Sequence, residues 1–368
     1  MGEKNEKSER KIDPWLQILW EQGGSDLLLS GGSPPRIRVT GRLASVEGAP
    51  VLTSNDIDDI ALPLLTDGQR RIFKEMQDVD FAFSFKDVGR VRGSLFTQRS
   101  QTALSLRMIP TKIPSFEDLG LPWAAEWVSQ QPRGFVLVTG PTGSGKSTTL
   151  ASIIDRVNET RAAHILTIED PVEYVHNHKL SAISQREVGL DSPSFDRALR
   201  SALREDPDII LIGEMRDIES IQIALTMAET GHLVFATLHT NDAPQAIDRI
   251  IDVFPAWRQE QTRVQLAASL SAIIAQRLVP KIGGGMVAAF EVLIATNPIR
   301  NLIRENRSNQ LANVMFTNTK EGMQILEMDL ARLIKGGVIT YEDALTVSAH
   351  PKEMGRALEQ MGYVVPKN

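Results

Sequence analysis

The chain has 368 residues, 42% of them hydrophobic and 23% charged, with a formal net charge of -6. This is the composition of a globular protein long enough for two domains, and the acidic balance speaks against one whose main task is to coat nucleic acid. It has no cysteine and no run of about 18 apolar residues, which excludes disulfides, Cys-ligated zinc modules and membrane-spanning helices.

Residues 1–11 carry charges of both signs and lack the apolar core of a signal peptide, so they are expected to form a solvated tail. From Pro14 to Glu21, Trp15, Ile18 and Leu19 share the spacing of one helix face. Leu27–Leu29 and Ile37–Val39 are predicted strands, separated by the turn Ser30–Pro35. Thr53-Ser54-Asn55-Asp56 marks a helix start, with Ser54 or Asn55 as the cap. Residues 79–109 alternate at period two and predict a three-stranded antiparallel meander. Residues 12–110 are therefore expected to form an α/β module, followed by a proline-punctuated linker over 111–131. Beyond it, apolar strand cores at Phe135–Thr139, Ile165–Ile168, Ile209–Ile212 and Leu233–Leu238 alternate with helical patterns, as in a mostly parallel sheet covered on both faces. The pattern from Ala256 to Ile274 is helical. Gly283-Gly284-Gly285 suits a hairpin turn between Arg277–Val279 and Val287–Phe290, and residues 298–368 are expected to be mostly short helices.

Residues 140–147 read G-P-T-G-S-G-K-S, which satisfies the phosphate-binding pattern G-x-x-x-x-G-K-[S/T] between a strand and a helix. Gly140, Gly143 and Gly145 let the backbone of Gly140, Pro141, Thr142, Gly143, Ser144 and Gly145 curl so that N–H groups converge. The helix N-terminus, extending through Thr148, adds positive potential. Lys146 is placed to reach the β- and γ-phosphates of ATP, and the Ser147 hydroxyl to ligate Mg²⁺.

Two further apolar strands end in acids, Glu169 in Ile165–Pro171 and Glu214 in Asp208–Glu214. Carboxylates at the C-terminal edge of such a sheet sit beside the phosphate loop. Gly213 occupies a position where many nucleotide hydrolases carry Asp, which leaves Glu214 as the metal-side acid and Glu169 as the general base; the reverse assignment stays open. His239 follows another strand and is either a γ-phosphate or water contact or a packing residue. Arg90, Arg92 and Arg107 lie on the meander, as an exposed basic face or as a source of an arginine finger.

Taken in order, the phosphate loop, Thr167–Glu173, Ile212–Asp217 and Gly231–Asn241 resemble the motifs of the type II/IV secretion ATPases. Within that family the chain is similar to the pilus-retraction (twitching-motility) branch. That likeness runs through Ser25–Leu29, Gly32–Arg38, Ile247–Pro255 and the helix Ile299–Glu305, which this branch needs for retraction. Leu28 stands where the family usually has His, and Pro298 where it has Ala. Gln276-Arg277-Leu278-Val279 is closer to the accessory retraction paralogue than to the principal motor. The resemblance implies a PAS-like N-terminal module and a RecA-like ATPase domain over 132–368, with a helical C-terminal part from about 298. It further implies a cytoplasmic homo-hexamer that reaches the inner membrane through a pilus platform protein. It places Arg90, Arg92 and Arg107 near the next subunit's nucleotide and His239 at the γ-phosphate. An assembly or secretion motor is the alternative reading; a nucleic-acid translocase fits less well.

Overall fold

The computed structural model describes residues 10–39, 41–86, 89–110 and 112–363. The chain divides into two compact units, Met1–Lys112 and Ile113–Asn368.

The first unit is built on six antiparallel strands: β1 (Asp26–Ser30), β2 (Arg36–Val39), β3 (Arg42–Ser45), β4 (Asp78–Phe85), β5 (Gly89–Gln98) and β6 (Gln101–Pro110), in the order β3-β2-β1-β6-β5-β4. Alternation does the sorting. Along β5, Val91 and Leu95 are buried while Arg90, Arg92 and Ser94 face the other side. The buried set packs with Leu27, Leu29, Leu104 and Leu106, and with Leu16, Leu19 and Ile57 of the helices Asp13–Glu21 and Ser54–Ala61. Thr53 caps the second of these helices, in a reciprocal capping box with Asp56. The cap thus lies one residue before the predicted Ser54, because only the Thr53 hydroxyl reaches the Asp56 N–H. Of the expected tail, residues 1–9 lie outside the described residues. Arg10 and Lys11 belong to the unit instead: Arg10 pairs with Asp13 and covers the Phe83 ring, and Lys11 reaches Asp59.

The second unit holds seven strands: β7 (Gly134–Thr139), β8 (His164–Glu169), β9 (Ala182–Glu187), β10 (Ile209–Ile212), β11 (Leu233–Leu238), β12 (Leu270–Pro280) and β13 (Met286–Ile294). Their order is β13-β12-β7-β11-β10-β8-β9, parallel throughout except for β13. Strands β7, β10 and β11 are buried at every residue, which is why they read as continuous apolar runs. The helix Lys146–Thr160 turns Leu150, Ile153, Ile154 and Val157 into this core. At about 1.5–3 kcal/mol for each large apolar side chain buried, that stripe anchors the phosphate loop's helix to the sheet.

Two expectations need correction. The stretch 111–131 is no linker: the helices Phe116–Leu119 and Trp123–Ser129 lie in it, and Ala124, Ala125 and Val128 are buried in the core of the second unit. The helix after Pro255 stops at Ser269, and Leu270–Ile274, read as its continuation, begin β12 against β7. The helix Asn297–Arg304 has Thr296 at its N-cap position and Pro298 in its first turn. Arg300 on this helix donates to the carbonyls of Ala267 and Ala268, and so closes the C-terminus of the helix Ala256–Ser269. The last helices, Leu326–Lys335, Tyr341–Val347 and Pro351–Gln360, share a smaller core with Val279 and Ala289 of the β12–β13 hairpin.

Candidate active site

The phosphate loop leaves the C-terminal end of β7. Its first residue, Gly140, has φ 146°, and a Cβ there would come within 2.4 Å of the Gln276 carbonyl oxygen and 2.6 Å of Ser144 Oγ. Only glycine fits. Thr142 and Gly143 lie exposed in the loop, Ser144 is buried, and Ser147 is exposed on the first turn of the helix. Thr148 Oγ1 lies 2.9 Å from the Tyr174 hydroxyl. The helix starts at Gly145 with no side-chain cap, which leaves first-turn N–H groups for an incoming anion. Lys146 Nζ donates to the carbonyls of Gly140 at 2.8 Å and Pro141 at 3.0 Å and lies 3.5 Å from His239 Nδ1. Burial pulls its pKa down, with Glu214 opposing.

Parallel pairing brings the other candidates to the same sheet edge. His239, one residue past β11, sets Nε2 2.9 Å from Glu214 Oε1. The second Glu214 oxygen accepts from Arg216 Nη2 at 2.7 Å. Burial would raise the Glu214 pKa, but Arg216, His239 and Lys146 outweigh it and hold the carboxyl below its ordinary value. Gly213 has a steric reason: a Cβ there would lie 3.2 Å from both Glu169 Cα and the Ile168 carbonyl oxygen, a tight fit for an Asp.

Glu169 ends β8, one strand further from the loop. It is buried, and Oε1 accepts from Thr167 Oγ1 at 2.7 Å and from Gln185 Nε2 at 3.3 Å. Burial raises its pKa, and these hydrogen bonds only partly offset the rise. The two acids are therefore driven in opposite directions: Glu214 toward a permanent charge, Glu169 toward higher proton affinity.

The three arginines belong to the first unit. Arg90 and Arg92 lie on β5 and Arg107 on β6, with Arg92 directly opposite Arg107. Arg107 Nε donates to Asp26 Oδ1 at 2.8 Å.

Three side chains that sequence reasoning left without a role join the site. Arg216, which is also 3.9 Å from Asp170, lay in a quoted motif and was detectable by its charge beside Glu214. Gln185 comes from β9, a strand that was not predicted. Gln276, buried on β12, donates to the Ser144 carbonyl at 2.6 Å.

A polyphosphate fits this donor set, with its glycine-lined cradle, uncapped helix N-terminus and an ammonium held at the mouth. Among the described residues no group of three or more His, Asp and Glu side chains forms a metal cage. A divalent cation here would therefore take most of its ligands from phosphate oxygens and water.

Known proteins resemble the chain over most of its length. The family described as type II/IV secretion system protein matches residues 77–362. Over 333 residues the chain is 50% identical to the type IV pilus retractation ATPase PilT of Pseudomonas aeruginosa, covering 90% of this chain and 96% of that protein. It is 48% identical over 311 residues to a twitching motility protein of Neisseria gonorrhoeae, covering 84% of this chain and 83% of the other. The crystal structure of the pilus retraction motor PilT with bound ADP superposes with a TM-score of 0.89 at 47% identity, over 95% of this chain and 100% of that one. The likeness spans both units, and the chain belongs to the type II/IV secretion system protein family, in the branch of the pilus-retraction ATPases.

Proposed function

We propose that the chain is a Mg²⁺-dependent ATP hydrolase that works as a homo-hexameric ring in the cytoplasm, drives retraction of a type IV pilus, and meets the inner membrane through a platform protein. The observation that carries the reading is the string Lys146–His239–Glu214, held at the ends of three neighbouring strand-and-loop segments beside an uncapped helix N-terminus.

Lys146 exchanges its carbonyl partners for the β- and γ-phosphate oxygens and stabilises the charge that spreads as the γ-phosphoryl group departs. The backbone N–H groups of Gly143 and of residues 145–148 hold the remaining phosphates. Glu169, with its raised proton affinity, accepts a proton from the attacking water. Ser147 and Glu214 are the side chains that would hold Mg²⁺, which supplies Lewis-acid neutralisation of phosphate charge. His239 keeps Glu214 oriented and stands at the γ-phosphate. Arg90, Arg92 and Arg107 of a neighbouring copy complete the site, so that hydrolysis is tied to motion between copies.

Phosphate release from mixtures tests this. Lys146→Ala chains and Arg92→Ala/Arg107→Ala chains, each inactive alone, are expected to recover turnover when mixed, because a mixed ring pairs an intact loop with an intact arginine set. No recovery at concentrations where rings assemble contradicts the shared site.

A further inference from the structure

We propose that Gln276 is a positioning residue that holds the phosphate loop in its nucleotide-binding conformation from the neighbouring strand β12. The inference rests on the reading of Gly140–Ser147 as a phosphate cradle.

β12 runs parallel to β7, with Ala275 opposite Thr139, the last residue before the loop. Gln276 is therefore level with Gly140, and it touches the loop twice. Its carbonyl oxygen occupies the space a Cβ on Gly140 would need. Its side-chain amide enters the loop, and Nε2 donates to the Ser144 carbonyl at 2.6 Å, a bond between residues 132 positions apart in the sequence. The same Nε2 would lie 3.1 Å from a Cβ on Gly145, so the Gln276 carbonyl backs Gly140 and its side-chain amide backs Gly145. Gln276 is 1% exposed, and this bond is buried from water.

The chemistry of the contact is directional. The Ser144 carbonyl can only accept, so the amide must present its nitrogen and turn Oε1 away. Oε1 then finds no hydrogen-bond partner among the described residues, and neither does the neighbouring Ser144 Oγ. A buried amide oxygen left unpaired is unfavourable. The amide thus commits its donor to the Ser144 carbonyl and leaves its acceptor unpaired. With that carbonyl tied to β12, the N–H groups of the loop not already bonded within it can converge on an anion. A strand does this better than the loop itself, because β12 is paired on both sides, to β7 and to β13.

Two variants of the full-length chain test the role. Gln276→Met keeps length and apolar packing but has no donor. In the nucleotide-free protein, the amides of residues 143–146 are expected to exchange hydrogen faster, while those of the β12–β13 ladder stay as in the native chain. Affinity for a fluorescent ADP analogue should fall about tenfold, the worth of one net hydrogen bond, with the unfolding midpoint little changed. Gln276→Glu gives a pH signature that loss of packing would not produce. The neutral acid can donate to the Ser144 carbonyl and the carboxylate cannot, so the affinity deficit relative to the native chain should shrink as pH falls. Native-like loop exchange and affinity in Gln276→Met overturns the proposal. If that variant does not fold, a Gln276→Glu deficit that stays constant with pH overturns it. Failure of the native chain to bind the analogue would sink the cradle reading instead, which keeps the two claims separable.

Discussion

His239 Nε2 lies 2.9 Å from Glu214 Oε1, and this contact fixes which ring nitrogen carries the proton. Nε2–H donates to the carboxylate, which leaves the Nδ1 lone pair facing the Lys146 ammonium at 3.5 Å. The imidazole thus orients the acid on one side and the Lys146 ammonium on the other. His239→Ala is expected to lower kcat by about 10–100-fold, the usual cost of losing an orienting partner, while ADP affinity stays within about threefold. An equal loss in kcat and ADP affinity would show instead that His239 holds the loop together.

Glu169 ends β8 and Glu214 lies two residues past the end of the adjacent β10, yet the two are driven apart in proton affinity. Burial raises Glu169, and the Arg216 and His239 contacts lower Glu214. A general base works when deprotonated, so a raised pKa moves the acid limb of the kcat profile above the ordinary carboxylate range. Glu169→Gln is expected to lower kcat by about 10²–10⁴-fold and to remove that limb. Glu214→Gln should lower kcat and leave the limb where it is. If the limb persists in Glu169→Gln and vanishes in Glu214→Gln, the two roles are exchanged.

Glu291, two strands from the phosphate loop, offers a stability test. It is buried on β13 and accepts from the Ala243 N–H at 2.7 Å. Burial, with Asp242 and Glu327 adding repulsion, pushes its pKa from 4.5 up to about 7. The folded state therefore binds this proton more tightly than the unfolded chain. The protonated site keeps its full stability below about 4.5 and loses stability as pH rises from there to about 7, by roughly 3 kcal/mol at most. Glu291→Gln, neutral at every pH, should flatten this slope and unfold at higher denaturant concentration than the native chain at pH 8. A native-like slope in the variant would show that Glu291 is ionised in the fold.

Much of this site was legible in the sequence because its chemistry admits few spellings. A loop that must cradle phosphate needs glycines where a Cβ collides, as at Gly140, and strands buried on both faces read as the apolar runs of β7, β10 and β11. What stayed hidden depends on distant partners. Strand β9, with the sequence AISQRE, is a polar edge strand without a continuous apolar run, so Gln185 went unnoticed. The apolar stretch after Ser269 has no period that separates helix from strand, and β12 was recognised only in its second half. The role of Gln276 was hidden with it, because its partner lies on a loop far away in the chain. The stretch 111–131 looked like a linker because prolines punctuate it and its helices, Phe116–Leu119 and Trp123–Ser129, are too short for a helical period to show.

The central claim is that ATP is cut in the cradle of residues 140–147, with Lys146 carrying the charge of the departing phosphoryl group. The most direct measurement is phosphate release from ATP by the full-length chain beside its Lys146→Ala variant, both shown by circular dichroism to be folded. The native chain is expected to turn over ATP, and the variant to lose turnover by about 10³-fold or more. Equal phosphate release from the two folded proteins would contradict the account.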